Sequence, residues 1–364
     1  MKIDELLEKT GLEHFTKEEI VFLLSQTEER EIQKIFAKAR AVRAEQFQNK
    51  IFLYGFVYFS TYCKNNCTFC YFRVSNQKPP RYRKSVEEIV NTAVELKNAG
   101  IHLIDLTMGE DPYYVEHPEE LVEIVKKVKE ATGLPIMISP GVVAHDTIDA
   151  IKEAGADWYA LYQETHTEEL YRKLRVHQAY ADRIHAKEHA KHIGMLIEEG
   201  LLTGIGDNKE DTAHSFLEMK RLKASQVRTM TFIPQEGTPL GEKEQSTFTS
   251  ELLNIAVMRI LFPDKLIPAS LDVDGLRGLE ERLNAGANVI TSIIPPQEGY
   301  AGVANAETDI DEGYRTVDGI QETLKKCGLK NATAEEYQVW VEREKVNGAE
   351  GMERQVTHYE TKVS

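Results

Sequence analysis

The chain has 364 residues and, with 44 Lys plus Arg against 59 Asp plus Glu, a formal net charge of −15. This acidic balance argues against nucleic-acid and anionic-membrane partners, and no apolar run approaches the roughly 20 residues of a membrane helix. The start, MKIDELLEKTGLEHF, alternates acids and bases as neither a secretory signal nor a transit peptide does, and no exposed apolar stripe stands out, so we expect a cytoplasmic monomer.

Residues 1–50 are predicted to form an N-terminal helical cap. The stretch LEHFTKEEIVFLLSQ has apolar residues at helical spacing, and IFAKARAVRAEQF continues the same period. Thr16 and Glu19 form the pattern of a capping box before the first of these runs, which places a helix start at this point.

From residue 51 the pattern changes to short apolar runs separated by helical stretches. Such alternation is typical of repeated strand–helix units that build a parallel sheet. The candidate strands are residues 51–59, 101–108, 134–139, 158–163, 201–206, 227–234, 266–272 and 287–293. Eight such units predict an α/β fold, a (βα)8 TIM-type barrel with an N-terminal helical extension and a functional site at the C-terminal ends of the strands. Helix ends are expected at Gly100 and Gly133.

The barrel is predicted to occupy residues 51–345. Residues 346–364 have little periodicity, and we expect a disordered tail there. The small residues of 299–307, GYAGVANAE, fit either a closure over the barrel mouth or an ordinary loop.

Three of the four cysteines, Cys63, Cys67 and Cys70, follow the first strand at C-x3-C-x2-C spacing. Zinc would normally take a fourth Cys or a His, and no nearby residue supplies one. Three thiolates from one loop instead suit a four-iron four-sulfur cluster with one iron free of protein. So few cysteines indicate a reducing compartment, and the fourth, Cys327, is expected to pack as a small hydrophobic residue.

This loop, at the end of the first strand of a strand–helix barrel, resembles the radical S-adenosylmethionine superfamily and its C-x3-C-x-aromatic-C motif. The resemblance implies that the cysteine loop holds a 4Fe-4S cluster, that S-adenosyl-L-methionine binds the open iron, and that a reductant such as flavodoxin or ferredoxin drives its cleavage to a 5′-deoxyadenosyl radical. The further cosubstrate contacts that it implies are Glu110 in MGED, Ser139 in GLPIMISPGV, and Glu164 and Arg175 in YQETHTEELYRKLRV.

Within that superfamily, residues 51 to roughly 310 resemble the methylornithine synthase family of pyrrolysine biosynthesis. The stretches that carry this resemblance include IDLTMGEDPYYVE, RTMTFIPQEGTPL, LIPASLDVDGL and LNAGANVITSIIPP. It implies an enzyme, a carbon-skeleton mutase that isomerises L-lysine to 3-methylornithine. Lysine has no activated hydrogen at Cβ or Cγ, so the reaction requires a radical. Abstraction at Cγ allows the Cα–Cβ bond to break, and the resulting glycyl radical can then recombine at Cγ.

Such a reaction separates the substrate into two fragments, so the site must bind both ends of lysine. The resemblance implies contacts with the amino acid from Asp105, Arg228, Ser270 and Asp272. Carboxylates fit the two ammonium groups, and the fork of Arg228 fits the α-carboxylate. Asp105 stands between apolar residues inside a strand, where a buried carboxylate requires a cation.

Two alternatives to this interpretation are left open, one within the same superfamily and one of a non-enzymatic class. One is another biotin-synthase-like enzyme that acts on a different amino acid. A sulfur-inserting enzyme would carry ligands for an auxiliary cluster, and only Cys327 remains for that purpose. The other alternative is a non-enzymatic iron–sulfur protein, for which Glu110, Arg175 and Arg228 would have no use.

Overall fold

A computed structural model describes residues 2–272, 274–295 and 314–360 of the chain, those after residue 347 as backbone only. Its strands are β1 Lys50–Ser60, β2 Leu103–Met108, β3 Ile136–Ser139, β4 Trp158–Ala160, β5 Leu196–Thr203, β6 Gln226–Thr231, β7 Pro268–Ser270, β8 Val289–Ile293 and β9 Lys330–Asn331. Strands β1 to β8 pair with their neighbours in parallel, in the order β6-β5-β4-β3-β2-β1-β8-β7. A parallel bridge between Gln226 and Leu266 joins β6 to the start of β7 and closes the ring. The predicted TIM-type barrel is confirmed.

Helices surround the ring of strands. They are α1 Ile3–Leu6, α2 Lys17–Leu24, α3 Glu29–Phe47, α4 Val86–Ala99, α5 Pro112–Glu116, α6 Pro118–Thr132, α7 His145–Glu153, α8 Glu168–Leu174, α9 Tyr180–His192, α10 Lys209–Arg221, α11 Phe248–Leu261, α12 Leu279–Asn284, α13 Gln321–Lys326 and α14 Ala334–Glu360. None of the described helices is long and apolar enough to cross a membrane.

The N-terminal helices form as the sequence predicted. Thr16 and Glu19 make the reciprocal bonds of a capping box at the start of α2. Helix α3 packs along α11, so the apolar residues of the N-terminal extension join the same core as the outer faces of the strands. The ends of α4 and α6 are also as expected, because Gly100 and Gly133 adopt the left-handed conformation there. Cys327 packs against the same core.

Strand β5 differs from the prediction, which placed it at residues 201–206. The strand is Leu196–Thr203, and it therefore contains Glu198 and Glu199. Both glutamates are fully buried. Two consecutive acids interrupt an apolar run, which hid the start of the strand in the sequence. The strand tolerates them because adjacent side chains point to opposite faces and each acid has a cationic partner, Arg228 inside the barrel and Lys187 outside it.

The N-terminal end of the barrel is filled by aromatic side chains of α14. The Tyr337 hydroxyl lies 2.8 Å from that of Tyr54 on β1. The ring of Trp340 stacks on that of Trp158 on β4, with centroids 5.9 Å apart. These groups close the end of the barrel opposite the loops that follow the strands.

Helix α14 extends into the C-terminal segment of the chain. The segment from residue 346, predicted to be a disordered tail, continues this helix as far as Glu360. Its Glu, Met, Arg and Gln residues are good helix formers, and the packed first turns supply the nucleus from which the helix propagates. The possible closure at 299–307 lies outside the described residues, as do 361–364.

The packing of α14 can be tested by truncating Trp340. Trp340→Ala should lower the free energy of unfolding by about 3–5 kcal/mol, because it removes a buried aromatic ring and leaves a cavity. The measurement is the urea concentration at half-unfolding, followed by circular dichroism. Val339→Ala is the matched control, since Val339 is 63% exposed on the same helix turn. An equal loss in both variants would contradict the packing role.

Candidate active site

A cavity of about 230 Å³ opens at the C-terminal ends of the strands. All but one of the predicted site residues line it. They are Cys63, Cys67, Cys70, Asp105, Glu110, Ser139, Glu164, Arg175, Arg228 and Asp272. The exception, Ser270, is buried beside the cavity, where its hydroxyl accepts a hydrogen bond from the backbone N–H of Asp272 and lies 3.4 Å from the hydroxyl of Ser292.

The cysteine loop follows β1 and is anchored by backbone hydrogen bonds on two sides. Lys64 donates to the carbonyl of Glu110 after β2, and Thr68 donates to the carbonyl of Leu174 at the end of α8. Gly109 is required next to this loop, because a side chain there would place its Cβ 2.2 Å from the carbonyl oxygen of Tyr62. The loop is therefore fixed against the ends of β2 and α8.

The three thiols share one side of the cavity. Burial, chiefly, raises the pKa of Cys63 to about 11. The pKa of Cys70 is also raised, by burial and then by the charges of Cys67 and Cys63. Bound metal ions would replace the protons of Cys63 and Cys70 and hold both residues as thiolates.

The donors around the sulfur atoms suit metal-bound thiolates. The side-chain amide of Gln178 donates to Sγ of Cys67 at 3.1 Å, and Arg175 donates to the same sulfur at 3.6 Å. The backbone N–H of Asn65 donates to Sγ of Cys63 at 3.5 Å. Within the described part of the chain no three Cys, His, Asp or Glu side chains are already arranged around a single ion. The fit to a cluster rests on this donor set: three thiols of one loop, with hydrogen bonds directed at their sulfur atoms.

Glu110 enters the cavity after β2 and is held by a cation from α9. Its carboxylate lies 2.8 Å from the guanidinium of Arg183, and both side chains are buried. Burial acts to raise the pKa of Glu110, but the charge of Arg183 and further contacts hold it below its usual range. Gly141 makes room for this carboxylate, because a Cβ there would lie 1.8 Å from Cγ of Glu110.

Glu164 and Arg175 form a second buried pair. The guanidinium of Arg175 donates to Glu164 at 2.7 Å and to the carbonyl of Tyr162 at 3.2 Å. Glu164 has a φ of 67°, a left-handed conformation that costs a non-glycine residue on the order of 1 kcal/mol. Two hydrogen bonds to the neighbouring strand β5 fix this backbone: Glu164 N–H donates to the carbonyl of Gly200, and the Glu164 carbonyl accepts from the N–H of Leu202.

The remaining charged groups come from within β2 and β6 and from just after β7. Nε of Arg228 lies 3.0 Å from the carboxylate of Glu198, and Asp272 lies 3.1 Å from the guanidinium of Arg315. Asp105 accepts a hydrogen bond from Thr107 but has no ion-pair partner among the described residues. Burial and then the charge of Glu198 raise the pKa of Asp105 to about 7.

Three of these groups were missed in the sequence analysis. Arg183 lies in the polar helix α9, far from any strand end, so nothing in its neighbourhood indicated a site residue. Arg315 follows the last strand at an equally unmarked position. Glu198 did leave a signal, because two acids inside the otherwise apolar stretch MLIEEGLL are costly to bury and imply cationic partners.

Comparisons with known proteins show which family the chain belongs to. Residues 57–219 match the family model described as the radical SAM superfamily. The chain is 49% identical to the 3-methylornithine synthase of Methanosarcina acetivorans over 316 aligned residues. The alignment covers 87% of this chain and 90% of that protein. It is 33% identical over 289 residues to the FeFe hydrogenase maturase subunit HydE of Thermotoga maritima, covering 79% and 82% of the two chains. A crystal structure of methylornithine synthase has a TM-score of 0.87 and 46% identity, covering 93% of this chain and 99% of that one.

Proposed function

Because the chain belongs to the methylornithine synthase family of the radical S-adenosylmethionine superfamily, we propose that it isomerises L-lysine to 3-methylornithine, the first step of pyrrolysine biosynthesis. The observation that carries the proposal is that the cysteine loop lines the same cavity as Asp105, Arg228 and Asp272. The cavity thus combines ligands for a cluster with charges that complement an amino acid bearing two ammonium groups and one carboxylate.

The cofactor side of the cavity is assigned first. Cys63, Cys67 and Cys70 would hold the 4Fe-4S cluster. The residues that would hold S-adenosyl-L-methionine are Glu110, Ser139, Glu164 and Arg175. When bound, these groups supply a 5′-deoxyadenosyl radical, once a one-electron donor such as flavodoxin or ferredoxin in the cytoplasm has provided an electron. Glu110 is ionised because of Arg183, so it is suited to accept hydrogen bonds from the ammonium of the cosubstrate.

The substrate side is assigned from charge. The α-carboxylate of lysine would bind Arg228, whose Nε and Nη2 are fixed by Glu198 and Thr291, respectively, so that Nη1 is left for a ligand as far as the described residues show. The ammonium groups would bind Asp105 and Asp272, and Ser270 would add a neutral hydrogen bond. Each of these residues is at least 91% buried, which strengthens the interaction of its side chain with a charged ligand.

Binding at both ends is what the proposed chemistry requires of the protein. Hydrogen abstraction from Cγ lets the Cα–Cβ bond break into a glycyl radical and 4-aminobutene, and Cα then bonds to Cγ. The former Cβ takes a hydrogen atom and becomes the methyl group, so substrate and product are isomers and no net oxidant is consumed. Arg228 would retain the glycyl fragment and an aspartate would retain the amine fragment, so that neither diffuses away before they recombine.

The reaction itself is tested by anaerobic reconstitution with iron and sulfide. We expect 13C-lysine, S-adenosyl-L-methionine and a strong reductant to give a product of unchanged mass with a new methyl signal in the NMR spectrum. Cys67→Ser is the control without a complete cluster and should give none. Lysine recovered unchanged beside abundant 5′-deoxyadenosine would contradict lysine as substrate.

The assignment of Glu110 is tested by Gly141→Ala. The new methyl group would displace the carboxylate of Glu110, so we expect the affinity for S-adenosyl-L-methionine to fall about tenfold or more, as measured by anaerobic equilibrium dialysis. Gly133→Ala is the matched control, because Gly133 also has a positive φ but no atom within 4 Å of the added Cβ. Both variants carry the backbone penalty of about 1 kcal/mol, so only displacement of Glu110 can separate them. Equal affinities would contradict the assignment.

The pH dependence of lysine binding tests Asp105. Its pKa of about 7 means that it gains a proton and loses its charge as the pH falls through 7. Lysine affinity should therefore fall by about tenfold per pH unit below that point and level off above it. Asp105→Asn should bind lysine weakly at every pH with no such slope. A slope that persists in the variant would assign the titration to another group.

A further inference from the structure

The buried acids in and beside the cavity are balanced by arginines, with one exception among the described residues. Four of them have a guanidinium partner within 3.1 Å: Glu110 with Arg183, Glu164 with Arg175, Glu198 with Arg228 and Asp272 with Arg315. Asp105 is the acid without such a partner in the described part of the chain. When Asp105 is ionised, the cavity therefore has one uncompensated negative charge.

Glu198 differs from the other four acids because it does not line the cavity and so has no direct contact with a bound ligand to explain it. It is fully buried on β5 and is not among the residues that line the cavity. Its Oε1 accepts from the side-chain amide of Gln226 at 2.6 Å and pairs with Nε of Arg228. The ring of Tyr162 lies over the same guanidinium, 5.5 Å from its carbon. Glu198 and Tyr162 thus contact the guanidinium of Arg228, and its charge is neutralised before any substrate binds.

We propose that Glu198, without touching the substrate, makes the cavity selective for an amino acid of net charge +1. By pairing with Arg228 it keeps that arginine from compensating Asp105, so the site retains one negative charge for the second ammonium group of a diamino acid. Glu198 is a positioning residue in this account. The inference rests on the proposed function and extends it from binding geometry to substrate selection.

Electrostatics explains why the pair matters for selection. An amino acid with a neutral side chain has no net charge and gains little from an uncompensated carboxylate, whereas lysine carries one net positive charge and gains from it directly. Without Glu198, Arg228 would neutralise Asp105, and the empty cavity would favour a neutral amino acid as much as lysine. The charged and titratable groups that influence Asp105 from the surrounding strands are Glu198, Arg228, Asp272, Tyr54 and Tyr162. Glu198 is, after burial, the strongest of the influences that raise the pKa of Asp105.

The test compares lysine with norleucine, which has the same chain length but lacks the terminal amine. Dissociation constants are measured anaerobically on protein loaded with cluster and S-adenosyl-L-methionine, without reductant, so that nothing turns over. Glu198→Gln keeps a side chain of the same size beside Arg228, but the charge is gone. We expect lysine to bind about tenfold or more weakly at pH 8, norleucine to change by less than about threefold, and the pH at which lysine binding weakens to move to a lower value.

The matched control is Glu199→Gln. Glu199 is the next residue on β5, is equally buried, and is paired with Lys187 outside the barrel. This variant should unfold more readily but keep the wild-type preference for lysine over norleucine. A preference that is unchanged in Glu198→Gln, or reduced equally in both variants, would overturn the inference.

Two further measurements cover the case in which Glu198→Gln does not fold. Glu198→Asp retains the charge and should retain the preference, so its loss in the folded variant would also overturn the inference. In the wild type, titration calorimetry in buffers of different ionisation enthalpy should show that lysine binding near pH 7 releases a larger fraction of a proton than norleucine binding does. Equal proton release on binding of lysine and of norleucine would count against the inference. If wild-type protein binds no lysine at all, the proposed function itself fails, and that result is distinct from each of these.

Discussion

The site depends on the pairing of buried carboxylates with arginines. A carboxylate in a cavity of low polarity would take up a proton unless a cation lies beside it. Glu110 and Glu164 on the cofactor side each have such a partner, and so do Glu198 and Asp272 on the substrate side. Each of these four acids thus has a cation beside it, whereas Asp105 has no ion-pair partner among the described residues and is left to respond to the ligand.

The barrel brings this about by combining side chains from strands and from helices. The strands deliver the acids to one edge, because their C-terminal ends meet there. Helices after β4 supply two of the arginines, Arg175 directly after α8 and Arg183 within α9. Both guanidinium groups also donate to the carbonyl of Tyr162, at 3.2 and 2.9 Å. One backbone oxygen thus positions the cations of two different acids, so the conformation of the loop after β4 affects both Glu110 and Glu164.

The sequence predicted the barrel and the residues at strand ends because apolar runs mark where strands stop. Cys63, Glu110 and Asp272 all follow such runs. It did not predict Arg183, since that residue reaches an acid 73 positions earlier in the chain from the middle of a polar helix. The start of β5 was misplaced for a related reason: Glu198 is polar in sequence, and its contacts with Arg228 and Gln226 make it compatible with a buried strand. Local sequence patterns cannot show ion pairs between residues that lie far apart in the chain.

The central claim is that Asp105, which has no arginine partner among the described residues, gains and loses a proton near neutrality and is ionised by a cationic substrate. Infrared difference spectroscopy of lysine binding just below pH 7 tests this most directly. The account predicts that the band of a protonated carboxylic acid disappears on binding and that the carboxylate bands grow, with no such change in Asp105→Asn. A difference spectrum with no carboxylic acid band, or one that is unaltered in that variant, would contradict it.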